Sequence, residues 1–123
     1  MLFRSAAVRW TVRLTASAEA DFRKIVHWSA REFGALQARN YAQTLSLALE
    51  ALSGGPGIAG VRHREDIGRG LLSLHVARGG RKGRHFVIFR ARGEAEGATI
   101  EVLRVLHDAM DMPRHVPPAA PGG

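Results

Sequence analysis

Apolar residues alternate with polar ones at the start of the chain and then recur at helical spacing. Between residues 9 and 14 every second residue is apolar, which predicts a half-buried strand. Thr15 then offers an N-cap oxygen, acidic side chains occupy the first turns, and Gly34 is placed to end a helix. The apolar face of this helix carries Ala18, Phe22, Ile25, Val26, Ser29 and Phe33.

A second amphipathic helix is predicted from about residue 35 to residue 53, where the apolar spacing is most regular. Leu47 falls off its apolar face and is expected at a flank. Because so few residues separate the two helices, they must form an antiparallel hairpin, and their apolar faces need a sheet to cover. The apolar face of the second helix carries Ala38, Tyr41, Ala42, Leu45, Ala48, Leu49 and Leu52.

The second half of the chain has the pattern of three strands joined by glycine-rich turns. The strands are predicted at residues 71–77, 85–91 and 99–107, and their short connections make them an antiparallel meander. The last two strands are apolar on both faces near their centres, so we expect them in the middle of the sheet. An exposed edge is expected at the strand that contains Trp10 or at the one that contains Leu74.

The order of elements is β-α-α-β-β-β, which indicates an α+β fold with a helical hairpin packed on a small, mostly antiparallel sheet. A single domain is expected over residues 8–112, since 123 residues is a usual length for one domain. Residues 1–7 and the proline-rich residues 113–123 are expected to be flexible termini.

Composition excludes several classes of protein. Hydrophobic residues make up 46% of the chain, which excludes wholesale disorder, and no apolar run approaches the ~20 residues of a membrane span. The absence of cysteine excludes disulfides, cysteine-bound zinc and thiol catalysis. His63, His75 and His85 lack the spacing of metal ligands, so no metal site is expected. The first residues lack the apolar core of a secretory signal, so we expect a cytoplasmic protein.

The net charge of +7 is unevenly distributed, and this points to an anionic partner. No acidic residue lies between Asp66 and Glu94. Most of the basic residues are arginine, which suits two-point contact with carboxylate or phosphate groups. Nucleic acid and an acidic protein segment both fit this chemistry. The glycine-rich turn that carries Arg81, Lys82 and Arg84 is either a solvated hairpin or part of a contact surface.

The last predicted strand ends in Arg-Val-Leu-His at residues 104–107, and Met110 and Asp111 follow it. This ending, together with further segments that span nearly the whole chain, resembles the ParE toxins of the RelE/ParE superfamily, the toxins of bacterial type II toxin–antitoxin pairs. The resembling segments are residues 12–25, 33–41, 56–60, 66–71, 85–90 and 100–111.

The resemblance implies a RelE/ParE-like fold, a toxin that poisons DNA gyrase, and a ParD-like antitoxin that neutralises it. Such an antitoxin joins a ribbon-helix-helix DNA-binding domain to a segment that wraps the toxin, so operator DNA is reached only through the antitoxin. In this case no catalytic residue, cofactor, metal or membrane partner is expected. The residues expected to bind the target or the antitoxin are Arg69, Arg81, Lys82, Arg84, Arg90, Arg104, His107, Met110 and Asp111.

Two alternatives stay open at this point. One is a RelE-like, ribosome-dependent mRNA interferase, whose chemistry needs a cation on the scissile phosphate and positioned acid and base groups. The only tyrosine, Tyr41, is assigned to the helical core and counts against it. The other is a non-toxic protein of this fold that only binds antitoxin, favoured by Leu72, where the family pattern usually has arginine. The interferase candidates are His107, Arg104, Arg90 and Arg69.

Several candidates also have a purely structural interpretation. Arg104 lies in an apolar strand and would pair with an acid such as Glu101 or Asp111. His107 would hold the C-terminal segment on the sheet. Trp28 would lie at the rim of the core rather than anchor an interface.

Overall fold

The structure is a computed structural model, and it describes residues 9–93 and 97–110. Within these ranges, two α-helices and five strands follow one another in the order β-α-α-β-β-β-β. The predicted fold class is confirmed, and the one additional strand is a pair of residues too short to give an alternating pattern. The elements are β1 (Thr11–Leu14), α1 (Ala16–Phe33), α2 (Ala35–Ala51), β2 (Arg62–His63), β3 (Leu72–His75), β4 (His85–Arg92) and β5 (Thr99–His107).

The strands form one sheet in the order β1-β5-β4-β3-β2, in which β1 runs parallel to β5 and every other pair is antiparallel. The meander β3-β4-β5 is as predicted, and β4 and β5 are central. The expected edge at the strand of Trp10 is confirmed for β1. The alternative edge at Leu74 is wrong, because the short β2 pairs with β3 and covers it.

Local signals define the helical hairpin as predicted. The Thr15 side chain accepts a hydrogen bond from the backbone N–H of Ala18 at 3.1 Å and so caps α1. Gly34 ends α1 at φ 91°, a conformation that costs glycine little because it has no Cβ. The second helix stops at Ala51 and passes into a 3₁₀ turn, slightly earlier than predicted.

The apolar face of α2 is buried as predicted, but the end of α1 is not. Phe33 is 61% exposed, and its ring packs edge-on against Trp28 at 5.6 Å between centroids. The prediction that Phe33 belongs to the core is therefore wrong, because the ring that Phe33 contacts, Trp28, is itself half-exposed. Leu47 is exposed, as its position off the apolar face predicted.

The main core lies between the hairpin and one face of the sheet. Phe89, Leu45 and Leu74 are nearly or completely buried there. A smaller apolar cluster around Ile88 and Leu106 lies on the opposite face. We call these the helix face and the open face of the sheet. Side chains of β4 alternate between them, so His85 shares the helix face with Phe89.

The last part of β5 extends beyond its partner β1, and the first turns of α1 cover the edge that this leaves. Asp21 accepts a hydrogen bond from the backbone N–H of Val105 at 2.9 Å. The same carboxylate accepts two more from Arg104, at 2.7 and 2.9 Å. Arg104 is thus paired, as its structural interpretation required. Of the two acids that the sequence suggested, Glu101 is wrong, because its carboxylate bonds Arg90, and Asp111 lies outside the described residues. The acid that the structure shows beside Arg104 comes from α1.

Asp111 and the two expected flexible termini lie outside the described residues. Within residues 9–93 and 97–110, neither helix is long and apolar enough to cross a membrane.

Candidate functional site

A groove of about 660 Å³ lies between the helical hairpin and the turn at residues 79–84, at the end of the sheet where β4 begins and β5 ends. None of the described side chains that line it is acidic, whereas three are basic and two are histidines. We call it the basic groove. Its aromatic and basic walls are formed by Trp28, Phe33, Tyr41, Arg81, Lys82, Arg84, His85 and His107.

The basic turn is fixed to α2 and is not a freely solvated hairpin. The Arg81 guanidinium donates hydrogen bonds to the Thr44 hydroxyl at 2.8 Å and to the Asn40 carbonyl at 2.9 Å. The backbone N–H of Arg84 donates to the Tyr41 hydroxyl at 2.9 Å. These bonds order the turn, so its charges are presented to the groove in a set position.

Tyr41 and His85 form a hydrogen bond of 2.7 Å between the phenol and the imidazole Nδ1. The Tyr41 oxygen also accepts the backbone N–H of Arg84, and the imidazole tautomer sets which of the two side chains donates in the bond to His85. Burial lowers the pKa of His85 to about 4, with a further contribution from the neighbouring His107. Burial also raises the pKa of Tyr41. The bond therefore joins two neutral groups at neutral pH.

His107 lies directly opposite His85 across the β4–β5 ladder, and the two rings meet edge to face at 5.2 Å between centroids. Its Nδ1 accepts the backbone N–H of Ala109 at 3.1 Å. His107 therefore orders the segment after β5, which agrees with its structural interpretation, and its ring also lines the basic groove.

Asp108 ties the segment after β5 to β3 and to the basic turn. Its carboxylate meets Nε2 of His75 at 3.1 Å and the Arg84 guanidinium at 3.3 Å. The hydrogen bond from His75, followed by the one from Arg84, lowers the pKa of Asp108. Asp108 thus neutralises part of the charge of Arg84 and leaves the other basic residues of the turn unaffected.

The four residues proposed for RNA cleavage do not come together. His107 lies at one end of the β4–β5 ladder, whereas Arg90 lies near the other, opposite Glu101, to which it donates a hydrogen bond of 2.7 Å. Arg69 is exposed in the turn before β3, beyond the same end as Arg90. Arg104 bonds Asp21 on α1.

Met110 and Trp28 are both half-exposed. Met110 is 44% exposed, and its backbone N–H donates to the His107 carbonyl. Trp28 is expected at the rim of the core, and it is 49% exposed on the wall of the basic groove.

Among the residues that the structure describes, no group of three histidine or acidic side chains could hold a metal ion.

Sequence reasoning missed Tyr41 and His85 as site residues. Tyr41 lies on the apolar face of α2, as predicted, but its hydroxyl reaches past the core to a residue 44 positions further along the chain. No local pattern signals such a contact. His85 could have been found from strand register, because an antiparallel pairing of the last two strands places it opposite His107.

A helical hairpin on a five-stranded sheet is the fold of the RelE/ParE toxins. A chromosomal ParDE toxin–antitoxin system from P. aeruginosa contains a chain that matches with a TM-score of 0.56 and 19% identity, over 80% of this chain and 96% of that one. A chain of the toxin–antitoxin complex RelBE2 from Mycobacterium tuberculosis matches with a TM-score of 0.50 and 27% identity, over 81% and 99%.

The sequence comparisons are more specific than the fold. The model of the ParE toxin family of type II toxin–antitoxin systems matches residues 12–112, so this chain belongs to that family. It is 33% identical to the toxin ParE of Escherichia coli, over 80% of this chain and 85% of that one. It is 30% identical to the toxin ParE1 of Caulobacter vibrioides, over 85% and 95%.

Proposed function

We propose that this ParE-family chain is a cytoplasmic toxin that poisons DNA gyrase without catalytic residues of its own. A ParD-like antitoxin neutralises it, and operator DNA is reached through the ribbon-helix-helix domain of that antitoxin. The family match over residues 12–112 supports the toxin class. The net charge of +7 supports an acidic antitoxin as the neutralising partner, since opposite charges speed and orient association.

The observation that carries the non-catalytic part of the proposal is the separation of the nuclease candidates. RNA cleavage without a metal needs a cation on the phosphate within reach of an acid and a base. Neither Arg90 nor Arg69 lies at the end of the sheet where His107 is placed. Carboxylates already neutralise Arg90 and Arg104, which weakens both as phosphate ligands.

The test is a supercoiling and DNA-cleavage assay with purified gyrase. The toxin alone should inhibit supercoiling and trap cleaved DNA, and added antitoxin should reverse both effects. His107→Ala tests whether the family-like end of β5 is needed for this inhibition. His63→Ala is the matched control, because His63 is an exposed histidine of β2. A folded toxin that leaves gyrase activity unchanged would refute gyrase as the target.

One observation favours the interferase as a second candidate function. The basic groove brings a tyrosine and two imidazoles beside three basic side chains, so the sequence argument that no tyrosine is available does not hold. Ribosome-dependent cleavage of mRNA by the purified chain, abolished by His107→Ala and by Tyr41→Phe, would establish this activity. Intact mRNA in the same assay, with gyrase poisoned, would exclude it.

A further inference from the structure

We propose that the basic groove is a binding site for a short segment of single-stranded DNA, with bases stacked on the aromatic wall and the backbone phosphates held by the basic turn. The choice of DNA over RNA rests on the proposed function, in which the target enzyme acts on DNA.

The aromatic wall has the properties of a stacking platform. Trp28 is 49% exposed and Phe33 is 61% exposed, and the two rings contact each other edge to face. Large aromatic side chains are normally buried, so two exposed rings in one groove are unusual. Stacking on such rings accepts any base, because every base has a π face.

On the opposite wall, Arg81 and Lys82 supply positive charge that no described acid neutralises. Arg81 donates its hydrogen bonds to neutral oxygens of Thr44 and Asn40, so they position its charge without cancelling it. Lys82 is exposed on the same wall. Within the described part of the chain neither Arg81 nor Lys82 forms an ion pair, whereas Arg84 is paired with Asp108. The groove therefore offers about two charges for phosphate contacts.

The lining also includes polar groups that unpaired bases can bind. The exposed amide side chains of Gln37, Asn40 and Gln43 on α2 line the groove. Amide side chains can donate to and accept from the edges of unpaired bases. Exposed aromatic rings, amides and cations without an acidic partner are together the groups that contact single-stranded nucleic acid.

The experiment measures binding of the purified full-length chain to fluorescein-labelled dT12 by anisotropy, at several salt concentrations and without gyrase. Trp28→Leu keeps apolar bulk but removes the stacking face, and should weaken binding about ten-fold or more. Lys82→Ala should lower the slope of log K against log salt by about 0.7. Arg62→Ala is the matched control, because Arg62 is an exposed cation of β2 outside the groove. It should bind as wild type does.

Each outcome decides the proposal. Loss of binding in Trp28→Leu and Lys82→Ala but not in Arg62→Ala supports it. Absence of dT12 binding, or an equal loss in all three variants, overturns it, because the second result indicates non-specific attraction to a basic surface. Tighter binding of rU12 than of dT12 overturns the choice of DNA. Displacement of dT12 by duplex DNA at equal affinity overturns the single-stranded specificity. Since gyrase is absent, failure here is distinct from failure of the gyrase assay.

Discussion

The contact between Asp21 and β5 offers a direct test of how the fold is held together. Asp21 is 8% exposed, and it satisfies both the Arg104 guanidinium and the buried backbone N–H of Val105. Asp21→Ala removes the carboxylate that both groups bond. Removing a surface ion pair lowers the free energy of unfolding only slightly. A large loss would therefore show that the Asp21 carboxylate stabilises the edge of β5 beyond the end of β1.

The magnitude follows from what loses its partner. A buried backbone N–H without an acceptor costs about 1–3 kcal/mol. Breaking a fully buried ion pair costs about 3–5 kcal/mol, but Arg104 is a quarter exposed, so water recovers part of this loss. We expect Asp21→Ala to lower the free energy of unfolding by about 2–4 kcal/mol. Asp21→Asn, which keeps an oxygen for the N–H of Val105, should cost about half as much.

The assay is urea unfolding followed by circular dichroism, with a double-mutant cycle of Asp21→Ala and Arg104→Met. Glu101→Ala is the matched control, because its partner Arg90 is on the partly exposed open face, and it should cost about 1 kcal/mol or less. An Asp21→Ala effect no larger than that of Glu101→Ala would refute the reasoning. A cycle with no coupling energy between Asp21 and Arg104 would show that the guanidinium does not contribute.

Three further predictions concern the groove and the hairpin. The folded pKa of His85 is about 4, below its ordinary 6.5, so between these values the unfolded chain binds a proton that the folded chain does not. The free energy of unfolding should therefore fall as the pH drops from 6.5 to 4, by about 1–2 kcal/mol at pH 5 after allowance for solvent screening. The loss should be smaller in His85→Gln. Identical pH profiles for the two proteins in urea titrations would contradict this. Gly83→Ala would place a Cβ 2.5 Å from Val76 and 3.1 Å from the Tyr41 hydroxyl. The free energy of unfolding, measured by thermal denaturation, should fall by about 1–3 kcal/mol. Wild-type stability in this variant would contradict the close packing of Gly83. Thr15→Ala removes the N-cap of α1 and should lower the free energy of unfolding by about 1 kcal/mol in chemical denaturation. Thr15→Ser keeps a capping hydroxyl and should retain most of the wild-type stability.

Much of the fold was predictable because its signals are local. Helix periodicity, the cap at Thr15 and the stop at Gly34 depend on neighbouring residues, and all three were confirmed. The meander followed from short glycine turns. The short β2 was missed because two residues carry no periodicity, and its presence decided which strand forms the second edge.

Candidate site residues were harder to predict, because they depend on which distant groups meet. Charge and the family-like ending identified the basic turn and His107, but they did not indicate that the turn is fixed to α2. Trp28 and Phe33 were interpreted as rim and core, since an amphipathic pattern does not say where a helix passes beyond the sheet.

Spacing, turns and the helix cap were enough to predict the class of fold, the helical hairpin and the central strands, and the resembling segments indicated the toxin family. The pairing of Arg104 with Asp21, 83 positions away, and the bond between Tyr41 and His85 are seen only in the folded chain. The first contact depends on the parallel placement of β1 beside β5, which sets α1 along the end of β5, and the second depends on the path of α2 past the start of β4. Side chains so far apart in sequence acquire partners only when the sheet order is fixed, and residue spacing does not carry that information.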